Sequence, residues 1–180
     1  MNKVVVMGVA GSGKSVLAEQ LARHLGCPMV EGDDFHLAGS QDKMRAGIPL
    51  DDADREPWLD RLGALLAIGS GDLVLACSAL KRKYRERLRS HVPGLRFVYI
   101  EIDVQTAARR VAARTAHLFP TSLVTSQFAA LESPVGEEGV FEVSALQDTE
   151  VQVGAVAYWL AGDAPTPALP RKGREQRQGV

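Results

Sequence analysis

The chain has little of what would mark an unusual class of protein. Only two of its 180 residues are cysteine, Cys27 and Cys77. They lack metal-ligand spacing, and so sparse a pair does not make a secreted disulfide framework. Charge of either sign is not in excess, the formal net value being −1, so no strong field draws the chain to nucleic acid or lipid. No apolar run reaches the roughly 18 residues that would span a bilayer. The first residues enter a strand pattern without a basic leader region, a long apolar stretch or a small-residue cleavage site. The expectation is a cytoplasmic protein with no nucleic-acid and no membrane partner. Hydrophobic residues at 46% and charged residues at 24% fit a globular domain rather than a disordered or fibrous chain.

No internal repeat is present. What is present alternates between strand-like and helix-like stretches. Val4–Met7 is a short β-branched run closed by Gly8, the pattern of a strand buried on both faces. From Lys14 to Leu25, apolar residues at 16, 17, 21, 22 and 25 keep helical spacing until Gly26 and Pro28 stop it. Further strands are predicted at Pro28–Glu31, Leu73–Cys77, Phe97–Ile102 and Val140–Val143. Further helices are predicted at Gln41–Ala46, Pro57–Ile68, Lys81–Ser90, Val104–Arg114, Leu123–Leu131 and Thr149–Leu160, with Pro57 as a first-turn residue. Strands alternating with helices define a three-layer α/β/α domain on a parallel sheet, over residues 1–162. Residues 163–180, DAPTPALPRKGREQRQGV, are proline-rich with little to bury and read as a disordered tail. Their basic cluster reads as solvated charge.

Between the first strand and first helix stands GVAGSGKS, Gly8–Ser15. It matches the phosphate-loop pattern of Gly, four residues, Gly-Lys, then Ser or Thr. Polyphosphate oxygens need converging backbone N–H donors, which Gly8, Ala10, Gly11, Ser12 and Gly13 can supply in a tight turn. The helix that follows adds its unpaired N–H groups and positive dipole end. Lys14 is placed to reach the β- and γ-phosphates, and the Ser15 hydroxyl to ligate Mg²⁺. The required strand before and helix after are both present, so the chain is expected to bind a nucleoside triphosphate.

Other uses of such a loop lack their signatures. No Asn-Lys-x-Asp is available to read guanine, and the one Asp-x-x-Gly, Asp60–Gly63, lies inside a helical pattern. A motor ATPase would end an apolar strand in adjacent carboxylates, whereas LVLAC is followed by Ser78. A small kinase remains. In that reading EGDDFH, directly after the second strand, puts Glu31 and Asp33 at the carboxyl edge of the sheet beside the phosphate loop, where open α/β sheets bind ligands. Phosphoryl transfer to a hydroxyl needs one carboxylate to orient that hydroxyl and take its proton, and others to hold Mg²⁺.

The stretches MGVAGSGKS, GDDFH, KMRAGIPLDDADREPWL, CSALKRKYRERLR and HLFPTSLVTSQFAALESP together resemble the gluconokinase family. These are small phosphate-loop kinases similar to shikimate kinase, and the likeness covers residues 3–160. It implies ATP plus D-gluconate giving 6-phospho-D-gluconate and ADP, with Mg²⁺, in a cytoplasmic homodimer. It implies a mobile lid at about 114–137. Asp33 would bind the acceptor hydroxyl and act as base, and Glu31 would hold Mg²⁺ through water. His36 and Lys43 would line the sugar-acid site. Arg55 would take the gluconate carboxylate, since a planar guanidinium pairs with it bidentately, the alternative being an ion pair with Asp51 or Asp52. Ser78 would meet the polyol or a Mg²⁺-bound water, with Lys81 and Arg85 assisting anion binding. Arg110 would lie over the adenine and Arg114 would reach the transferring phosphate.

Trp58 and Cys77 read as core residues, Arg82, Lys83, Arg87 and Arg89 as a solvated face, and Gln127 as either a structural or a substrate-contacting residue. The chain departs from the family at Thr115–Leu118, where TAHL replaces the usual Lys-Gly-His-Phe. That change puts turnover in question more than reaction type. The alternatives are a kinase for shikimate or another hydroxy acid, and a nucleotide-binding regulator without turnover.

Overall fold

The computed structural model describes residues 2–113 and 122–162. The predictions made for Arg114, for Thr115–Leu118 and for the tail lie outside the described residues. Five strands, β1 Lys3–Met7, β2 Met29–Glu31, β3 Leu73–Ala76, β4 Arg96–Glu101 and β5 Val140–Ser144, form one sheet in the order β2-β3-β1-β4-β5. Every neighbouring pair is parallel, so each crossover has to carry a helix back over the sheet. The helices are α1 Lys14–Leu25, α2 Ala38–Arg45, α3 Asp52–Ala67, α4 Arg82–His91, α5 Val104–Ala112, α6 Ser122–Ala130 and α7 Thr149–Leu160.

Two cores result from the two-residue period of the strands. Val4, Val6, Val98 and Ile100 point to one side, where they pack with Leu17 and Leu21 of α1 and Val153 and Val156 of α7. Val5, Met7, Phe97 and Tyr99 point to the other, against Trp58, Leu59, Leu62 and Leu66 of α3 and Leu88 of α4. The three-layer α/β/α arrangement expected from the alternation is the observed one.

One local difference from the sequence reading has a physical cause. Helix α3 starts at Asp52 rather than Pro57, because Asp51 and Asp54 close a reciprocal capping box at 2.8 and 3.1 Å. Pro57 therefore sits inside the helix, where its missing N–H leaves the Ala53 carbonyl without its usual donor. Its ring is exposed. Cys77 is buried, and burial pushes its thiol up to about 12, which makes it inert at neutral pH.

Candidate active site

A cleft of about 700 Å³ runs along the carboxyl edge of the sheet. Its nucleotide end is made by the loop between β1 and α1. Helix α1 begins at Lys14 with Gly13 as cap, no side-chain cap and no acidic residue in its first turn. Its leading N–H groups and positive dipole end are thus left for an anion. Ala10, Gly11, Gly13, Lys14 and Ser15 line the cleft, and Lys14 Nζ also donates to the Val9 carbonyl at 3.1 Å. Gly11 has φ +81, and a Cβ there would stand 2.7 Å from the Ala107 carbonyl, so no larger residue fits against α5. Gly8 and Ser12, also in the loop, do not line the cleft, and Ser12 Oγ is buried without a hydrogen-bond partner among the described residues. Arg110, from α5, grips the loop from behind, donating to the carbonyls of Gly11 and Ser12 at 3.5 Å and of Ala145 at 2.9 Å.

At the end of β2 the chain turns through a short 3₁₀ segment, Gly32–Phe35. Gly32 makes this turn possible, because a Cβ would come within 2.5 Å of the Ala76 carbonyl. Trp58 Nε1 donates to the Gly32 carbonyl at 2.8 Å, pinning the turn to α3. Glu31, Asp33 and His36 then all reach the cleft. Glu31 hydrogen-bonds with Ser15, and burial raises its carboxyl above the usual range. Asp33 remains well exposed, 3.9 Å from His36 Nε2. His36 is only 5% exposed and stacks on Trp58 with centroids 4.1 Å apart. Burial lowers its pKa to about 4, opposed by Asp33 and reinforced by Arg55. The ring is therefore neutral at physiological pH.

The acceptor end is a ring of side chains from α3, α4 and the loops before them. Arg55 lines it, with Nε donating to the Leu50 carbonyl at 3.4 Å and the guanidinium 5.9 Å from the Tyr84 ring centroid. The ion pair weighed against its binding role is not formed. Asp51 caps α3, and Asp52 accepts from Lys81 at 2.8 Å, from Lys83 at 2.6 Å and from the Tyr84 hydroxyl. Those three donors hold the Asp52 carboxyl well below the usual carboxylate range. Ser78 and Lys81 line the cleft.

Lys43 is not brought to the cleft. Its Nζ is bound by both oxygens of Asp54 at 2.6 and 2.8 Å, the same carboxylate that closes the α3 cap, and this turns it away from the lining. Arg85 is not brought to the cleft either. It is fully buried, donating to the carbonyls of Ala79 and Leu80 at 3.0 Å, of Glu132 at 3.1 Å, and to Glu137. Ala79 has φ 43, a left-handed conformation strained for a residue with a side chain, so Arg85 holds in place the loop that presents Ser78. Nor are its neighbours simply solvated, for Arg87 is fixed to Asp60 at 2.6 and 2.7 Å.

Sequence reasoning missed the apolar wall of Met44, Ile48, Pro49 and Leu50, and with it Tyr84. The run IPL and a lone aromatic in a basic helix were the available signals. Gln127 also lines the cleft, and its Oε1 accepts the Ala10 N–H at 2.7 Å.

A parallel sheet in this order, a phosphate loop at its centre and a carboxylate-bearing turn at the end of β2, with β3 between them, define a small phosphate-loop kinase. The AAA domain family matches residues 4–134. A gluconokinase of Gluconobacter oxydans (strain 621H) is 44% identical over 152 residues, covering 82% of this chain and 85% of that one. The thermosensitive gluconokinase of Escherichia coli (strain K12) is 40% identical over 137 residues, 74% of this chain and 73% of its own. The crystal structure of a gluconokinase from Sinorhizobium meliloti 1021 superposes with a TM-score of 0.80 at 39% identity, covering 91% of this chain and 98% of that one. The chain belongs to the gluconokinase family.

Proposed function

We propose that the protein transfers the γ-phosphoryl group of ATP to the 6-hydroxyl of D-gluconate, giving 6-phospho-D-gluconate and ADP. The observation that carries this reading is the polarity of the cleft. A phosphate loop stands at one end, Arg55 without a carboxylate partner among the described residues at the other, and Asp33 and Ser78 lie in the same lining. An acceptor with an acid at one end and a hydroxyl at the other suits that order.

Lys14 and the loop N–H groups hold the triphosphate and offset charge as it spreads over the transferring oxygens. Asp33 orients the acceptor hydroxyl and takes its proton as the new O–P bond forms. Arg55 fixes the carboxylate by a two-pronged contact. His36, neutral and immobilised on Trp58, addresses the polyol with hydrogen bonds rather than charge, and Ser78 and Lys81 complete that wall. Arg110 presents its guanidinium face to the adenine, while Arg114 and the lid at about 114–137 close over the phosphates and exclude water.

Ser15 and Glu31 are suited to hold Mg²⁺. They place two oxygens side by side, and a buried carboxyl whose pKa is raised gains most from a cation. No group of three or more His, Cys, Asp or Glu residues forms a metal cluster among the described residues, which fits an ion that takes its other ligands from phosphates and water. When bound, the ion supplies charge neutralisation between the phosphates. We assign the chain to the cytoplasm and to a homodimer by the same family reading.

The test is coupled ADP release with ATP and Mg²⁺, comparing D-gluconate, shikimate and glucose. Release with gluconate alone is expected. Release with shikimate in preference would transfer the assignment to another hydroxy acid, and tight ATP binding without release for any acid would favour a regulator without turnover.

A further inference from the structure

Gln127 is the one polar group that α6 has left to offer the cleft among the described residues. The helix lines it with Leu123, Ser126, Gln127 and Ala130, and the Ser126 hydroxyl is already donated to the Leu123 carbonyl at 2.9 Å. The Gln127 amide is oriented by chemistry rather than by chance. Its partner in the phosphate loop, the Ala10 backbone nitrogen at 2.7 Å, can only donate, so the amide oxygen must face the loop. The planar amide then carries its N–H₂ group on the other side, and that group has no hydrogen-bond partner among the described residues. Lys14, Ser15 and Asp33 line the same cleft.

The loop is thereby held from both flanks. Ala107 packs against Gly11 so closely that a Cβ would meet its carbonyl at 2.7 Å, and Arg110 binds the carbonyls of Gly11 and Ser12. On the α6 side the polar hold, among the described residues, rests on one amide. We propose that Gln127 works with both ends of that amide, its oxygen fixing Ala10 of the phosphate loop and its N–H₂ donating to an anionic oxygen of the γ-phosphoryl group. A neutral donor so placed adds directionality without adding charge to a site that already holds Lys14. It would make the empty and loaded loop distinguishable by the presence of the third phosphate. The inference rests on the phosphoryl-transfer reading, but its test does not require an acceptor.

The experiment is calorimetric titration of the full chain with Mg²⁺ and either ADP or a non-hydrolysable ATP analogue, using Gln127→Glu and Gln127→Leu. Glutamate keeps an oxygen for Ala10 and loses the donor. It should weaken the triphosphate analogue by roughly 10- to 100-fold, the usual loss of a hydrogen bond to a charged group, while changing ADP by less than about threefold. Leucine loses both ends and should weaken ADP as well, with the thermal midpoint of either variant close to that of the parent. Wild-type affinity of Gln127→Glu for the analogue would overturn the donor role, and wild-type ADP affinity of Gln127→Leu would overturn the hold on Ala10. Failure to phosphorylate gluconate, with these binding differences intact, would instead count against the acceptor assignment alone.

Discussion

At the nucleotide end of the cleft, on the proposed reading, the phosphates are held mostly by the backbone of one stretch, of which Ala10, Gly11, Gly13, Lys14 and Ser15 line the cleft. At the acceptor end the contacts come from side chains scattered over the turn after β2, the loop before α3, α3 itself and the β3–α4 loop. The first is robust because its donors are peptide groups whose positions follow from φ and ψ. The second depends on which charges pair with one another. Asp54 takes Lys43, Asp52 takes Lys81 and Lys83, Glu137 takes Arg85, and Arg55 is what remains for a carboxylate. Among the described cations that line this end, Lys81 is paired and Arg55 has no carboxylate partner, and on the proposed reading specificity depends on the first as much as on the second.

If the two ends divide the work in this way, removing the base should have the largest effect. Asp33→Asn keeps the shape of the turn but can no longer take the hydroxyl proton, so kcat should fall by roughly 10²- to 10⁴-fold with ATP affinity unchanged. A loss of less than tenfold would remove Asp33 from the proton step. Next comes the scaffold of the acceptor end. Arg85→Met leaves Glu137 with only its 3.3 Å contact to Arg89, strips several carbonyls of their donor and releases the strained Ala79, so unfolding free energy should drop by about 3–5 kcal/mol. A urea midpoint like that of the parent would show the clamp to be dispensable.

The phosphate loop was legible because its chemistry is local. Its glycines, Lys14 and Ser15 are adjacent in sequence, and the strand and helix that flank them have strong periodicities. The parallel sheet was legible for a similar reason, since its strands are apolar on both faces. The roles of Lys43 and Arg85 were not legible, because both depend on partners distant in sequence. Asp54 must first be recognised as a cap, and Glu137 lies beyond one intervening strand and two helices, β4, α5 and α6. Pro57 misled for the opposite reason: its own preference for a first turn was overridden by the capping box whose N-cap, Asp51, lies six residues upstream. The apolar wall at Met44–Leu50 was hidden within a stretch rich in polar residues, glycine and proline.

Two further measurements sharpen the contrast between the ends. Arg55→Ala should raise KM for the acid by roughly 10- to 100-fold, as expected for a lost charge-assisted contact, and leave KM for ATP nearly unchanged. An equal rise in both would place Arg55 in the general electrostatics of the cleft. The pH dependence of stability addresses His36. Its pKa is lowered by burial from 6.5 to about 4, so between those values the unfolded chain binds a proton that the folded chain does not. Its contribution is intact above about pH 6.5 and is lost as pH falls toward 4, on the order of 2–3 kcal/mol across the window. His36→Phe keeps a ring to stack on Trp58 and should flatten that slope. Parallel profiles for the two proteins would mean that another group titrates.

The smallest effect is expected at Lys43, and it is informative because the sequence alone placed this residue with the substrate. Its ammonium is already held by the Asp54 carboxylate, and that carboxylate is held in turn by the Asp51 N–H. A substrate would have to break this arrangement to recruit it. Lys43→Met should therefore change KM for the acid by less than about twofold, within the range of surface pairs, while Asp54→Ala, which breaks the cap as well, should lower thermal stability. A KM that rises tenfold or more for Lys43→Met alone would mean that the acid draws Lys43 away from Asp54 on binding. The acceptor end would then be completed by its substrate rather than built in advance, and the difference between the two ends would be one of preorganisation instead of charge pairing.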